Sequence, residues 1–217
     1  MDGCPAMNLP ESRLLWQHPL LVVEERSLPS GERRLVVHRG SFAAVCLFLY
    51  TDEGEGGFLV VKQIRPTADT PFYEHPAGMI GGNESPLEAA LRELAEETGW
   101  LLSPHDLISL TPEGLYPSPA FWNEKGYFFA VQLRVPAALL QAYLPSASRQ
   151  TEEENLDLLI LTGTELLCRT RNLQTVAHTL LYYAYFSSTD RALSSCAPQD
   201  PEEVGGDSSD SYRESSS

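Results

Sequence analysis

Three glutamates, Glu93, Glu96 and Glu97, fall within a single turn's worth of sequence, and Glu84 precedes them by less than ten residues. Like charges packed so closely repel, and nothing in fold stability calls for them. A hard divalent cation does, because Mg²⁺ or Mn²⁺ takes oxygen ligands and fills the rest of its shell with water or phosphate. Taken alone, Glu-Leu-Ala-Glu-Glu also fits a solvated acidic helix face. The spacing around it has to decide.

The element that positions these carboxylates is legible. Ser85 is placed to cap a helix, Pro86 suits its first position, and Glu88 completes a capping box. Gly99 supplies the left-handed stop. Leu87, Ala90, Leu91 and Leu94 recur at helical period and predict the packed face. Glu93 and Glu97, four apart, project from one side, and Arg92 stands four residues from Glu96, where an ion pair forms readily.

At 217 residues and 42% hydrophobic, the chain holds enough apolar surface for one ordinary domain and a small accessory unit. A net charge of −15 argues against nucleic-acid polymers, which need a basic footprint. An anionic substrate would have to be met by local arginines and metal ions. The four cysteines are scattered without metal or disulfide spacing, which fits a reduced, cytoplasmic setting. A secretory leader pattern is not evident at the start, and the longest apolar run, Phe42 to Tyr50, is too short to span a bilayer. No membrane association is expected.

In chain order, residues 1–12 read as a flexible start. Residues 13–40 read as a small N-terminal β unit: a hairpin of Leu20–Val23 and Leu35–Val37 around the turn Leu28-Pro29-Ser30-Gly31. Such a unit is marginal alone and must lean on the next domain or a second subunit. Residues 41–187 form the main domain. Strands are expected at Phe42–Tyr50, Phe58–Ile64, Phe72–Pro76, Asp106–Leu110, Gly126–Val135 and Leu156–Leu161. Helices are expected at the carboxylate segment, Pro136–Leu144, Thr164–Arg169 and Leu173–Phe186, the last packing through Leu180, Tyr183 and Ala184. Residues 188–217, rich in serine and acids, read as a disordered tail. This pattern predicts α/β layers with a mixed sheet between helices.

Gly78, five residues, Glu84, seven residues, then Arg92-Glu93-Leu94-x-Glu96-Glu97-x-Gly99 fits every fixed position of the Nudix box. Trp100 stands where an aliphatic residue is usual, a packing position. The chain therefore resembles the Nudix hydrolases, which implies an α-β-α sandwich with a mixed sheet. Outside the box it resembles the branch that cleaves ADP-ribose and nucleoside diphosphate sugars. The patches that carry this are Val61–Arg65 with Glu74 and Pro76–Ile80, the run Tyr116–Glu124, and Glu152–Asp157; the resemblance covers roughly residues 14–187.

The resemblance implies a Mg²⁺ (or Mn²⁺) site on Glu93, Glu96, Glu97 and the Ala77 carbonyl, with Glu84 supporting it. Arg92 would orient the glutamate cluster. A general base would come from the loop before the last strand, where Glu154 aligns best and Glu153 lies one residue away. Arg65, Glu74, Ser118, Pro119 and Glu124 match substrate-pocket positions, Ala120 replacing the usual glycine. Arg39, Phe121 and Trp122 are further candidates for the substrate. The implied reaction is hydrolysis of the diphosphate of ADP-ribose or a related nucleoside diphosphate sugar to a nucleoside monophosphate and a sugar phosphate, in a homodimer joined through the N-terminal β unit. Two alternatives stay open: a pyrophosphatase of nucleoside triphosphates or oxidised nucleotides, and a non-catalytic module that binds ADP-ribose as a sensor.

Overall fold

A computed structural model of the chain describes residues 11–142, 149–150 and 156–194. The first unit is a three-stranded antiparallel sheet of β1 (Ser12–His18), β2 (Leu21–Ser27) and β3 (Arg33–His38), in that order. The expected hairpin thus gains a strand at its front, which begins at Ser12, inside the segment expected to be flexible. Every residue of β1 is exposed, so its sequence carries none of the in-out alternation that marks a half-buried strand.

The main domain is built on an eight-stranded mixed sheet. Its strands are β4 (Phe42–Tyr50), β5 (Gly56–Arg65), β6 (Thr70–Glu74), β7 (Ala77–Met79), β8 (Ile108–Ser109), β9 (Gly126–Arg134), β10 (Arg149–Gln150) and β11 (Asp157–Leu161). The order is β10-β11-β5-β4-β9-β8, with β6 continuing from β5 and β7 from β4. β4 and β9 run parallel and the other neighbours antiparallel. The helices among the described residues, interleaved with these strands, are α1 (Pro86–Thr98), α2 (Ala137–Gln141), α3 (Gly163–Arg169) and α4 (Leu173–Ser194).

β4 is an unbroken apolar run because both of its faces are covered. Ala43, Val45, Leu47 and Leu49 join Leu59 and Val61 under Ala89, Ala90 and Leu94 of α1. The alternate residues serve the other face, where Cys46, Phe58, Val60 and Leu161 pack with Leu166 of α3 and Tyr182 of α4. The result is an α-β-α sandwich. Trp100 packs at the edge of the α1-side core.

Helix α4 departs from expectation in two ways. It continues to Ser194, past the point where the tail was expected to begin. Its buried face is Thr175, His178, Thr179 and Tyr182, while Leu180 and Tyr183 are exposed. His178 and Thr179 find partners inside, while His178 Nδ1 has none among the described residues. His178 Nε2 donates to the Phe129 carbonyl at 2.8 Å, and the Thr179 hydroxyl donates to the Thr175 carbonyl at 2.8 Å. A buried polar group with a partner costs little, so periodicity of apolar residues alone misplaces this face.

The N-terminal sheet is stitched to the main domain through the segment 118–124. Val37 N–H donates to the Phe121 carbonyl at 2.7 Å, and Asn123 N–H donates to the Val37 carbonyl at 2.9 Å. Among the described residues no helix is long and apolar enough to cross a membrane.

Candidate active site

The site begins with how α1 is aimed. Ser85 accepts from Glu88 N–H and Glu88 answers to the Ser85 N–H, closing the capping box, and Gly99 ends the helix at φ 76°. These caps fix which residues face β7. Glu97, in the last turn, is buried, and its Oε2 accepts from the Ala77 N–H at 3.0 Å. A Cβ at Gly78 would overlap the Glu93 carboxylate. Glycine there is what lets that carboxylate lie against the strand backbone.

Arg92 is the tie of the cluster. It meets Glu84 through Nε (2.8 Å) and Nη2 (3.0 Å), and Glu93 (2.7 Å) and Glu96 (2.9 Å) through Nη1, while Nη2 also reaches the Met79 carbonyl at 3.0 Å. A planar guanidinium with five donors can serve several acceptors at once, which an ammonium cannot do in this geometry. Arg92 and the Gly81 N–H together hold Glu84 ionised, with its pKa lowered to about 2. The same carboxylates keep the Arg92 guanidinium protonated.

Beside β7 opens a pocket of about 450 Å³. Arg39, Arg65, Glu74, Ala77, Gly78 and Glu124 all line it, although 85 residues separate the first from the last. Its charged walls are two ion pairs. Arg65 donates to Glu74 through Nε (3.0 Å) and Nη2 (2.7 Å), and Arg39 lies 3.4 Å from Glu124. Glu124 is buried, and desolvation raises its carboxyl pKa against the pull of Arg39. Glu74 is also buried, and Gln63 Nε2 (3.1 Å) and the Asn172 side-chain amide complete its donors. In this arrangement Glu74 fixes Arg65 and is spent on hydrogen bonds.

The structure distributes the expected substrate residues over two places. Ser118 closes the turn that carries 118–122, accepting from Trp122 N–H at 3.0 Å. Pro119, Phe121 and Trp122 line a separate cleft of about 240 Å³ against Arg26 and Val36 of the N-terminal sheet, and do not line the arginine pocket. Glu153 and Glu154 lie outside the described residues.

Some of the residues that line the pocket were not expected from the sequence. Asn172 and Gln174, at the start of α4, line the arginine pocket. Asn172 has the signature of a helix cap, since its Oδ1 accepts from Gln174 N–H at 2.8 Å, and an Asn just ahead of the helical run was the available signal. Behind this wall lies a small cavity of about 40 Å³ lined by His75, His178 and Glu97 among others. Burial pushes both imidazoles toward the neutral form, His178 to about 4.

The donor set suits a hard cation. All candidate ligands are oxygens: the carboxylates of Glu93, Glu96 and Glu97 and the carbonyl of Ala77. Among the described residues no three acidic, histidine or cysteine side chains converge closely enough to hold a metal ion by themselves. Arg92 and the Ala77 amide instead hold the carboxylates in place. Carboxylates of this kind suit a hard divalent cation that completes its shell with water and phosphate oxygens.

Fold and site together define an α/β sandwich whose capped helix presents an arginine-tied carboxylate cluster beside an arginine-lined pocket. The chain belongs to the NUDIX family: the NUDIX domain matches residues 40–158. It is 37% identical over 115 residues to an ADP-ribose pyrophosphatase of Bacillus subtilis (strain 168), covering 52% of this chain and 57% of that one. It thus spans little more than half of that relative. It is 32% identical over 151 residues to a methanol dehydrogenase activator of Bacillus methanolicus, covering 68% of this chain and 72% of that one. Over 42 residues it is 55% identical to an ADP-sugar pyrophosphatase of Mus musculus, 19% of each chain. Among solved structures, an ADP compounds hydrolase superposes with a TM-score of 0.59 at 19% identity, covering 87% of this chain and all of that one. This last likeness concerns the fold.

Proposed function

We propose that the chain is a divalent-metal-dependent hydrolase of ADP-ribose or a related nucleoside diphosphate sugar, releasing a nucleoside monophosphate and a sugar phosphate. One observation carries the reading: Glu93 and Glu96, tied by Arg92, and Glu97, held by the Ala77 amide, adjoin a pocket that contains Arg39 and Arg65. Two relatives named for ADP-ribose or ADP-sugar pyrophosphatase activity support the substrate class.

The residues divide the work as follows. Arg65, held by Glu74, offers a fixed guanidinium to the diphosphate. The two arginines and two glutamates lining the pocket balance in formal charge, so the charge of a bound diphosphate calls for further cations. Glu93, Glu96, Glu97 and the Ala77 carbonyl would hold them. A divalent cation bound there supplies charge neutralisation and a more acidic water. Arg92 keeps the carboxylates oriented, with Glu84 anchoring its other edge. A carboxylate must accept the proton of the attacking water. We assign this role to Glu154 or its neighbour Glu153, on the acidic run that abuts β11. Arg39 and Glu124 line the pocket wall on the sugar side, Ser118 closes the turn that carries Phe121 and Trp122, and those two belong to the cleft against the N-terminal sheet.

The unit is a homodimer in this proposal, joined through the exposed β1 face, and it works in the cytoplasm. The test is a substrate panel with Mg²⁺: ADP-ribose, UDP-glucose, GDP-mannose, dinucleoside polyphosphates, dNTPs and 8-oxo-dGTP, compared by kcat/KM. ADP-ribose or another diphosphate sugar should lead. Preference for a triphosphate would overturn the substrate class, and binding without turnover would overturn the catalytic reading.

A further inference from the structure

Asn172 sits between α3 and α4, far in sequence from the box, yet each end of its amide has a defined partner. Its Oδ1 accepts from Gln174 N–H at 2.8 Å and its Nδ2 donates to Glu74, while its backbone N–H donates to the Thr170 hydroxyl at 3.2 Å. The backbone N–H of Gln174 needs an acceptor, which fixes the amide's orientation and turns Nδ2 toward Glu74. There it donates to Oε1. Glu74 Oε2 is taken by Gln63 and by two nitrogens of Arg65. Among the described residues Asn172 is the donor that Oε1 receives, so it sets the rotation of the carboxylate, and through it the plane of the guanidinium. Arg65 Nη1 has no hydrogen bond among the described residues. Arg65, Glu74 and Asn172 all line the arginine pocket.

We propose that Asn172 is a positioning residue for the substrate diphosphate. It clamps Glu74 from the start of α4 so that Arg65 presents the unused edge of its guanidinium to the pocket. This rests on the reading of Arg65 as the diphosphate donor. A planar fork gains its strength from alignment, so loosening its support weakens substrate binding and leaves the carboxylate cluster untouched.

The test uses the full chain with ADP-ribose and Mg²⁺, in Asn172→Ala, Asn172→Ser, Asn172→Asp and Arg65→Ala. Serine and aspartate keep an acceptor for the Gln174 N–H, so α4 still has its cap. Serine is too short to reach Glu74, and aspartate sets a second carboxylate against it. KM should rise about tenfold in all three Asn172 variants, with kcat within about threefold of wild type. Arg65→Ala should raise KM at least as much, and adding Asn172→Ser to it should raise KM little further. If Arg65→Ala raises KM and Asn172→Ser and Asn172→Asp leave it unchanged, Asn172 is a helix cap only and the proposal is overturned. If Arg65→Ala itself leaves KM unchanged, the diphosphate reading of the pocket fails, and the role of Asn172 falls with it.

Discussion

Glu97 Oε2 accepts the backbone amide of Ala77 at 3.0 Å. That bond pins the last turn of α1 to β7 and sets a buried carboxylate beside the carbonyl with which it would share a cation. Glu97→Gln keeps an oxygen able to accept the Ala77 N–H and removes only the charge. Turnover should fall by about three orders of magnitude, ~4 kcal/mol of transition-state stabilisation. The thermal midpoint should change little. Steady-state kinetics with Mg²⁺ and a melting curve check this, and near wild-type turnover would remove Glu97 from the metal assignment.

Arg92 holds Glu84, Glu93 and Glu96 at once. Arg92→Lys should not replace it, because an ammonium lacks the fork that serves them together. The expected signature is a rise in the Mg²⁺ concentration needed for half-maximal rate, by about tenfold. Stability should show a matching pH dependence. Glu84 has its pKa lowered from 4.5 to about 2, chiefly by Arg92. Its contribution is present above pH 4.5 and is lost as pH falls toward 2. Arg92→Ala should therefore be less stable than wild type at neutral pH, and the gap should narrow below pH 4.5. Chemical denaturation across that range is the measurement.

Gly78 lies so close to Glu93 that a side chain there has no room. An added methyl would meet the Glu93 carboxylate. Gly78→Ala should displace Glu93 and lower kcat/KM by about a hundredfold while costing roughly 1–3 kcal/mol in stability. If the variant keeps full activity, the close approach of Glu93 to the strand has no catalytic meaning.

The box was legible because its signals are local. Ser85, Pro86, Glu88 and Gly99 cap one helix, and the Glu and Arg spacings within it follow from 3.6 residues per turn. The pocket was legible only residue by residue. Arg39 pairs with Glu124 and Arg65 with Glu74, and such partners depend on how β3, β5, β6 and the segment after β8 converge. Apolar spacing did not reveal the most buried side of α4, because His178 and Thr179 are buried with hydrogen bonds that sequence does not display. The front strand β1 was missed for the opposite reason: Leu14, Leu15 and Trp16 are apolar side by side and stay exposed.

His178 should make the fold sensitive to mild acid. It is buried under β9, donates to the Phe129 carbonyl, and has its pKa lowered from 6.5 to about 4, first by burial. The unfolded chain therefore binds a proton between those values that the folded chain refuses. Stability is full above pH 6.5 and declines as pH falls to 4, by up to about 3 kcal/mol from this group. Asn would retain a side-chain donor without titrating. His178→Asn should lessen the slope of the stability profile between pH 6.5 and 4, measured by urea titration, the remaining slope coming in part from the buried His75. An unchanged slope would show that the acid sensitivity lies in other groups.

Strand β1 offers the clearest reason to expect a second subunit. Leu14, Leu15 and Trp16 are 58%, 42% and 50% exposed, with only the His18 ring stacked on Trp16 among the described residues. A single three-stranded sheet with an uncovered apolar strand is a marginal arrangement in water, and such patches mark interfaces. The occupant expected here is the same strand unit of another copy. Light scattering should give a mass near twice 24.0 kDa. Trp16→Glu places a charge in the centre of the patch, where burial without a partner is costly. It should shift the mass to that of one chain at micromolar concentration. Segment 118–124 is bonded directly to β3, so loss of the dimer should also raise KM. A wild-type chain that is monomeric and fully active would refute the dimer, and a dimeric Trp16→Glu would place the interface elsewhere.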